Sequence, residues 1–484
     1  MITHGPPLWP HQKEALSFIH RRRGSLLWVP MRAGKTRIAI DYIQNTGPGP
    51  DLVICPHKVI PVWLEQFDTY LLNRHAYSIR GLATQTIAER AATVKEIIAT
   101  GTNKIFVVNY DVIAEEPLAK ELLKIKWNRL IFDEVHRLQA PAGKQSRFAA
   151  RLAKNARKVI GLSGTPGNPL GNPDKQAMRD AGILDLYGVM RTLAPGHFAW
   201  TNKAYKATFG VWNQFTPFPK IEGYINHRLF DAKLASVCYH VTEDQLAYTM
   251  PEAIEQVRPV TLPPAVQATY DALERQMITE WEGDVTTAAN ALVKQLRLQQ
   301  MTAGFLQADG ADAVQAVHTV KIDAIKEIIG DIAPTERVLI FSQFKPEMDA
   351  LTHALRSPAR PVFHIRGGED TSDKWKATPG AILIVQIQAG GEGLDLSMTN
   401  YCIYSSLCHS LRAFQQSFKR PQKPSAKHPI AYYYIVATGT IDEDIQRALA
   451  NRAAVVDSVR QRFSSRRTQN HGYKETRKDR TQSS

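Results

Sequence analysis

Short, unbroken apolar runs punctuate the chain, and stretches with helical spacing separate them. In the first half these are SLLWV (25–29), DLVIC (51–55), KIFVVN (104–109), RLIFDE (129–134) and KVIGLSG (158–164). In the second half they are RVLIFSQ (337–343), PVFHI (361–365), AILIVQI (381–387), YCIYSS (401–406) and AYYYIVA (431–437). Runs that are continuous rather than alternating suit parallel strands covered on both faces. Their alternation with helical stretches predicts an α/β protein with two doubly wound parallel sheets. Between the two sets, over about 195–330, the pattern changes, and the boundary between the halves is expected within 235–260. FAWTNKAYKATFGVWNQFTPF (198–218) is aromatic and irregular, while the segment 264–306 has helical periodicity. The aromatics alternate with lysines, as a base-stacking platform would. Packing against the first lobe is the favoured reading, because large aromatics mostly fill cores and element junctions.

A chain of 484 residues is too long for one hydrophobic core, which makes two domains with an inserted element the expectation. Apolar content of 44% and charged content of 22% are ordinary for globular protein. The 60 Lys+Arg against 46 Asp+Glu, a net charge of +14 and a pI near 9.5 point to a polyanionic partner. After Asn451, nine Lys/Arg face only three Asp/Glu, so residues 451–484 read as a basic tail, either a solvated end or a nucleic-acid-binding arm. Cys55, Cys238, Cys402 and Cys408 form no C-x-x-C pair and no zinc-spaced cluster, and read as buried thiols in a reducing compartment. The start MITHGPPLWP lacks a signal-peptide pattern, and no apolar run approaches about 18 residues. A cytoplasmic chain with no membrane partner, acting as a monomer, is expected.

The chemistry concentrates at two strand ends. After SLLWV comes Pro30-Met31-Arg32-Ala33-Gly34-Lys35-Thr36 and then the helical RIAIDYI. Backbone N–H groups at such a strand–loop–helix junction point at phosphate, and the helix N-terminus adds partial positive charge. Lys35 can reach the β/γ-phosphates and Thr36 can ligate Mg²⁺. Val29 stands where the general phosphate-loop pattern has its first glycine. About a hundred residues on, RLIFDEVHRL places Asp133 and Glu134 after an apolar strand, with His136 beyond. A strand-end Asp holding Mg²⁺ and a Glu polarising water are what γ-phosphate hydrolysis needs. Together the two elements read as the halves of an ATPase site.

With these elements in place the sequence resembles superfamily 2 helicases, and within them the Swi/Snf-like branch, from about Leu8 to Leu449. PMRAGKT resembles that branch's (D/E)-M-G-x-G-K-T loop, with Met31 kept, Pro30 for the acid and Arg32 for a glycine. LWPHQKEAL looks like the adenine-recognising Q motif, with Gln12 as its glutamine. LVICPHKVIPVWLEQF resembles motif Ia, VVNYDVI motif Ib, DEVH motif II and LSGTP motif III, where Ser163 and Thr165 are expected to couple ATP state to lobe movement. RVLIFSQF resembles motif IV, HIRGG the segment after it, VQIQAGGEGLDLS motif V, FQQSFKRPQKP motif VI, and GTIDEDIQRAL the helix that closes the fold.

The resemblance implies two tandem RecA-like lobes with a helical insertion. Lobe 1 is expected over 1–240, the insertion over 241–330 and lobe 2 over 331–450. It implies an ATP- and Mg²⁺-dependent translocase or helicase on DNA, duplex favoured, with replication, recombination or repair proteins as partners. Nucleotide contacts are expected from Gln12, Met31, Arg32, Ala33, Gly34, Lys35, Thr36, Gly391, Gly393 and Asp395. Metal contacts are expected from Thr36 and Asp133, and catalysis from Asp133 and Glu134. In motif VI, counting four and seven residues from Gln416, the two family arginines fall on Arg420 and Lys423; a register using Lys419 and Arg420 stays open. The link after motif III, GNPLGNPDKQAMRDAGILDLYGVM (167–190), is longer than usual, and the compact, appendage-free chain looks like enzymes carried by bacteria and bacteriophages. Two other readings are an RNA helicase of the same superfamily and a nucleotide-controlled clamp without turnover. The FSQ and AGGEGLDLS patterns favour the Swi/Snf side, and Lys35, Asp133 and Glu134 argue against the clamp.

Overall fold

The computed structural model describes residues 6–101, 103–164, 181–213, 220–246, 248, 250–283, 288–307, 314–388, 395–408, 410–426, 428–447 and 449. Thr165, Gly391, Gly393, much of the link after motif III and the tail 451–484 lie outside them. Contacts divide the chain into two compact units, one reaching residue 247 and the other running from 248 to 453.

The first unit is built on a seven-stranded sheet. Its strands are β1 (Gly24–Trp28), β2 (Asp51–Cys55), β3 (Ser78–Gly81), β4 (Lys104–Asn109), β5 (Trp127–Asp133), β6 (Ala156–Ser163) and β9 (Cys238–His240). They stand in the order β3-β4-β2-β5-β6-β1-β9, every pair parallel. A hairpin of β7 (Gly210–Asn213) and β8 (Lys220–Tyr224) stands apart. β1 and β2 are buried at every position because helices cover both faces. Helices α1 (Pro10–His20), α2 (Lys35–Asn45) and α3 (Ile60–Tyr70) belong to this cover, with Ile38, Ala39, Ile40 and Ile43 of α2 and Trp63 and Phe67 of α3 facing inward. Register fixes where chemistry can occur. Trp28 pairs with Ser163, and Asp133 with Leu162, so the C-terminal ends of β1, β5 and β6 share one edge, the edge at which open α/β sheets hold ligands.

The aromatic stretch packs inward. Phe198, Tyr205, Phe209 and Phe230 are all buried, with ring centroids 5.0 Å apart for Tyr205–Phe209 and 5.5 Å for Phe209–Phe230. They form part of the lobe's core, while among the described aromatics of the stretch Trp212 is half-buried and Trp200 is 79% exposed.

The second unit has its own seven-stranded sheet. Its strands are β10 (Ala253–Val260), β13 (Val338–Ser342), β14 (Val362–Arg366), β15 (Glu369–Asp370), β16 (Ile382–Gln386), β17 (Tyr401–Tyr404) and β18 (Ile430–Ala437). Their order is β10-β18-β17-β13-β16-β14-β15, parallel except for the β14–β15 pair. β11 (Phe305–Gln307) and β12 (Val314–Ala316) make a small hairpin. Part of the interval 241–330 contributes to this unit, β10 as an edge strand and helix Val320–Gly330 in the core. The outer strand β10 carries Glu255, Gln256, Arg258 and Pro259, residues that blunt a sheet edge.

A buried polar network ties this unit together. Lys321 Nζ lies 2.6 Å from Asp442 Oδ2 and donates to Ser405 O at 3.1 Å. Asp442 also accepts from Thr302 Oγ1 at 2.9 Å. Glu347, 2% exposed, accepts from Ser342 Oγ at 2.6 Å and Ser406 Oγ at 2.7 Å. The helical segment ending at Thr302 is thereby bonded to Asp442 after β18, and its Gln299 Nε2 donates to Leu407 O after β17 at 2.8 Å. The four cysteines are buried thiols. Among the described residues no helix is long and apolar enough to cross a membrane.

Candidate active site

Helix α2 begins at Lys35, directly after the loop that leaves β1. Val29 continues the sheet, donating its N–H to Ser163 O at 3.2 Å, and is fully buried. An extended, paired residue there has no use for a glycine's freedom, which accounts for the missing first glycine of the general pattern. The freedom is needed further on. Gly34 adopts φ 76°, ψ 35°, a conformation that favours glycine, and a Cβ on it would fall 2.2 Å from Gln12 Nε2 and displace that amide. Arg32 also sits in the left-handed region, at φ 63°. This is the position at which the resembled loop has glycine, and holding arginine there costs about 1–2 kcal/mol.

Two side chains of α1 grip the loop from outside. His11 Nε2 is 2.9 Å from Ala33 O, and Gln12 Nε2 donates to the same carbonyl at 3.4 Å. Gln12 Oε1 accepts the Trp9 N–H at 2.9 Å. Burial lowers the His11 pKa, against the Ala33 carbonyl, which raises it, and so favours a neutral ring. Met31 packs against Gly164 in motif III. Lys35 Nζ donates to Val29 O and Pro30 O, each at 3.2 Å. Its ammonium thus rests on carbonyls of its own loop. Thr36 follows in the first turn of α2, half-buried.

Asp133 ends β5, is buried, and is held at every oxygen that the fold can reach. Its Oδ2 accepts from Trp63 Nε1 at 2.9 Å, its Oδ1 from Glu134 N at 3.0 Å, and its carbonyl from Tyr110 OH at 2.8 Å. Burial first, and then the Glu134 charge, push its carboxyl up to about 6, while Trp63 and Lys35 pull the other way. Glu134 turns the chain at φ 49°. Its Oε2 lies 3.3 Å from His136 Nδ1, which is also 3.2 Å from Ser163 Oγ at the end of β6. Motifs II and III therefore meet at one imidazole. The sequence alone assigns no role to Trp63, Tyr110 or His136, although each lies inside motif Ia, Ib or II, which is the signal that points to them.

The residues present suit a nucleotide with its magnesium ion. A left-handed glycine opens a helix whose first-turn N–H groups have no intrahelical carbonyl, and a lysine stands beside it. An aspartate whose pKa is raised by burial and then by a second carboxylate is stabilised in its charged form by an added cation. No group of three or more His, Cys, Asp or Glu that could hold a metal occurs among the described residues. Magnesium that arrives on phosphate needs only one or two protein ligands.

In the second unit, Gln416 lies on helix Leu411–Lys419 and is buried. Arg420 caps that helix, donating its N–H to Ser417 O at 3.2 Å. Lys419 and Arg420 are half-buried, while Lys423 is exposed in a turn that Ala426 N closes on its carbonyl at 3.1 Å. Asp395 Oδ1 accepts from Ser397 N at 3.1 Å, an Asx turn.

A family model, the SNF2-related domain, matches residues 11–304. Protein p41 of Acyrthosiphon pisum secondary endosymbiont phage 1 is 24% identical over 478 residues, covering 93% of this chain and 96% of that protein. The human DNA annealing helicase and endonuclease ZRANB3 is 22% identical over 475 residues, covering 93% of this chain but 40% of its own length. The chain thus spans nearly all of the phage protein and less than half of ZRANB3. The Sulfolobus solfataricus SWI2/SNF2 ATPase core in complex with dsDNA aligns over 95% of this chain and 94% of that one, with 19% identity and a TM-score of 0.42. With the family model matching more than half of its length, the chain belongs to the SNF2-related domain family.

Proposed function

We propose that the chain is an ATP-driven motor on DNA, duplex favoured, coupling hydrolysis of the γ-phosphate to movement along the backbone. The observation that carries this reading is the shared strand edge of the Gly34–Lys35 loop, the Asp133–Glu134 pair and Ser163, with Glu134 and Ser163 joined through His136. Lys35 leaves its loop carbonyls to neutralise the β/γ-phosphates. Ala33 and Gly34 shape the cradle, and Gln12, bonded to it, is assigned to the adenine. Magnesium, held through Thr36 and Asp133, would neutralise charge on the phosphates. Glu134 orients the attacking water, and Trp63 and Tyr110 keep the adjacent aspartate in place. Such a transition state is stabilised by positioning and charge neutralisation more than by covalent chemistry. Arg420 and Lys423 are assigned to the charge on the transferred phosphate, and Asp395 to the nucleotide. The family membership and the basic charge of +14 support DNA as the track.

The reading is tested by measuring ATP hydrolysis with double-stranded DNA, single-stranded DNA and RNA as stimulators. Stimulation by blunt duplex at least equal to that by single strands is expected. Stimulation by RNA alone, or no turnover with any of them, overturns it.

A further inference from the structure

Helix Leu411–Lys419 packs on one face of the β17–β18 pair and ends one residue before Arg420. Its packing is aromatic. Phe414 lies 5.4 Å from Tyr404, and Phe418 stacks on Tyr432 with centroids 4.2 Å apart and planes 21° apart. Tyr432 pairs with Cys402 and Tyr434 with Tyr404 across the two strands. Side chains at i and i+2 of a strand share a face, so these tyrosines all stand under the helix.

Two of their hydroxyls fix the helix in place. The last four carbonyls of a helix lack intrahelical donors, and Tyr432 OH donates to one of them, Phe418 O, at 2.7 Å. The same phenolic oxygen accepts from Gln422 Nε2 at 3.4 Å. Tyr432 is fully buried and Gln422 is 2% exposed. One hydroxyl therefore holds the main chain two residues before Arg420 and a side chain two residues after it. A turn earlier, Ser417 Oγ donates its only proton to Phe414 O at 2.8 Å, so Tyr404 OH is the donor in its 2.9 Å bond to that oxygen. Tyr404 sets the middle of the helix, and Tyr432 sets its end.

Between the two anchors the chain has little freedom. Arg420 keeps helical backbone at φ −66°, ψ −41° and donates its N–H to Ser417 O at 3.2 Å. Pro421 follows, buried, with its own φ fixed by the ring. The clamp encloses Lys419 and Arg420 and stops at Gln422. Lys423 lies beyond it, exposed, in the turn that Ser425 completes at φ 60°. Of the two cations counted from Gln416, Arg420 stands inside the anchored segment and Lys423 outside it.

We propose that Tyr432 is a positioning residue for ATP hydrolysis, its hydroxyl aiming Arg420 at the transferred phosphate by holding Phe418 and Gln422 on either side. The proposal rests on the motor reading and deepens it. A guanidinium grips phosphate through a planar fork, so its worth depends on the direction in which the main chain presents it. A lysine on an exposed turn is a mobile point charge with no such demand, which is why the anchoring falls on one cation and leaves the other.

Tyr432→Phe in the full chain keeps the stacked ring and removes only the hydroxyl. Duplex-stimulated turnover should fall at least about tenfold, since a misplacement of about 1 Å can cost about 10², while the KM for ATP stays within about threefold of the parent. In an Arg420→Ala chain the same substitution should cost nothing further, because the group it aims is gone. Parental turnover in Tyr432→Phe overturns the proposal. A loss as large in the Arg420→Ala chain as in the parent marks a general packing defect and overturns it too. A second readout needs no hydrolysis. A nitroxide on Arg420→Cys, selectively labelled because the four native thiols are buried, should be immobilised above Tyr432 and give a narrower spectrum above Tyr432→Phe. An unchanged spectrum overturns the clamp while the motor reading stands. A spectrum that narrows, in a protein whose parent chain shows no DNA-stimulated turnover, overturns the motor reading and the positioning role with it.

Discussion

The Nδ1 of His136 lies 3.2 Å from the Oγ of Ser163, joining the turn after β5 to the end of β6. The same nitrogen is 3.3 Å from Glu134 Oε2. One ring nitrogen with one proton cannot serve both partners fully. Protonated, it donates to the carboxylate or the hydroxyl; bare, it accepts only from the hydroxyl. A change at Ser163 is therefore felt by the residue assigned to orient water. His136→Ala should slow duplex-stimulated turnover about tenfold, equivalent to about 1.4 kcal/mol, with the KM for ATP within about threefold of the parent. Ser163→Ala should act similarly, and the double variant should be no worse than either alone, as for residues in one network. Fully additive losses would show that the two act separately.

Where β2 and β5 begin, Arg129 is 1% exposed and Asp51 fully buried, and the two meet through paired bonds of 2.7 Å. Arg129 also donates to Ile43 O at 3.1 Å. Removing one partner strands the other charge, which costs about 3–5 kcal/mol. Arg129→Met should lower the melting temperature by roughly 10 °C, taking about 2–4 °C per kcal/mol for a lobe of this size. A shift under about 2 °C would mean that the pair contributes little.

Much of this was legible in the sequence, because buried parallel strands are written as continuous apolar runs. RLIFDE and KVIGLSG became β5 and β6, and the G-K-T and D-E elements fell at one sheet edge. What escaped was decided by partners distant in sequence. β9 and β10 carry no apolar run, since β9 is three residues long and β10 is an exposed edge strand. Arg129 looks like a polar residue at the start of a strand, and only the fold shows that Asp51 waits beside it. The indole of Trp63 meets Asp133 across seventy residues, a pairing that no local pattern records. The left-handed backbone at Arg32 likewise becomes visible only in the structure.

Acid should loosen the second unit through His318. Burial lowers its pKa from 6.5; the Met301 carbonyl raises it, Lys321 lowers it further and Asp442 raises it. The folded form thus binds a proton more weakly than the unfolded chain, so stability falls as pH drops below about 6.5 and rises with pH through that window. Asp51 and Asp133, both raised to about 6, act in the opposite sense, so the test is a difference. His318→Gln should lose less melting temperature than the parent between about pH 7.5 and 5.5. Equal losses would remove His318 from the account.

In motif VI, Arg420→Ala should cut stimulated turnover by about 10³ with ATP binding nearly intact, as for loss of an arginine finger. Lys423→Ala should cost less and Lys423→Arg should be neutral or faster, because lysine keeps the charge without the planar fork. An inert Lys423→Ala alongside a dead Lys419→Ala would move the register to Lys419 and Arg420.

The central claim, movement along duplex DNA driven by ATP, is tested most directly by displacement of a third strand from a triplex on otherwise intact duplex. The chain should release the third strand only with ATP and magnesium, with no separation of the underlying duplex. Lys35→Ala and Glu134→Gln should release none, Glu134→Gln while still binding ATP. Third-strand release that persists in both variants, or a parent chain that hydrolyses ATP on duplex DNA and releases nothing, would contradict the account.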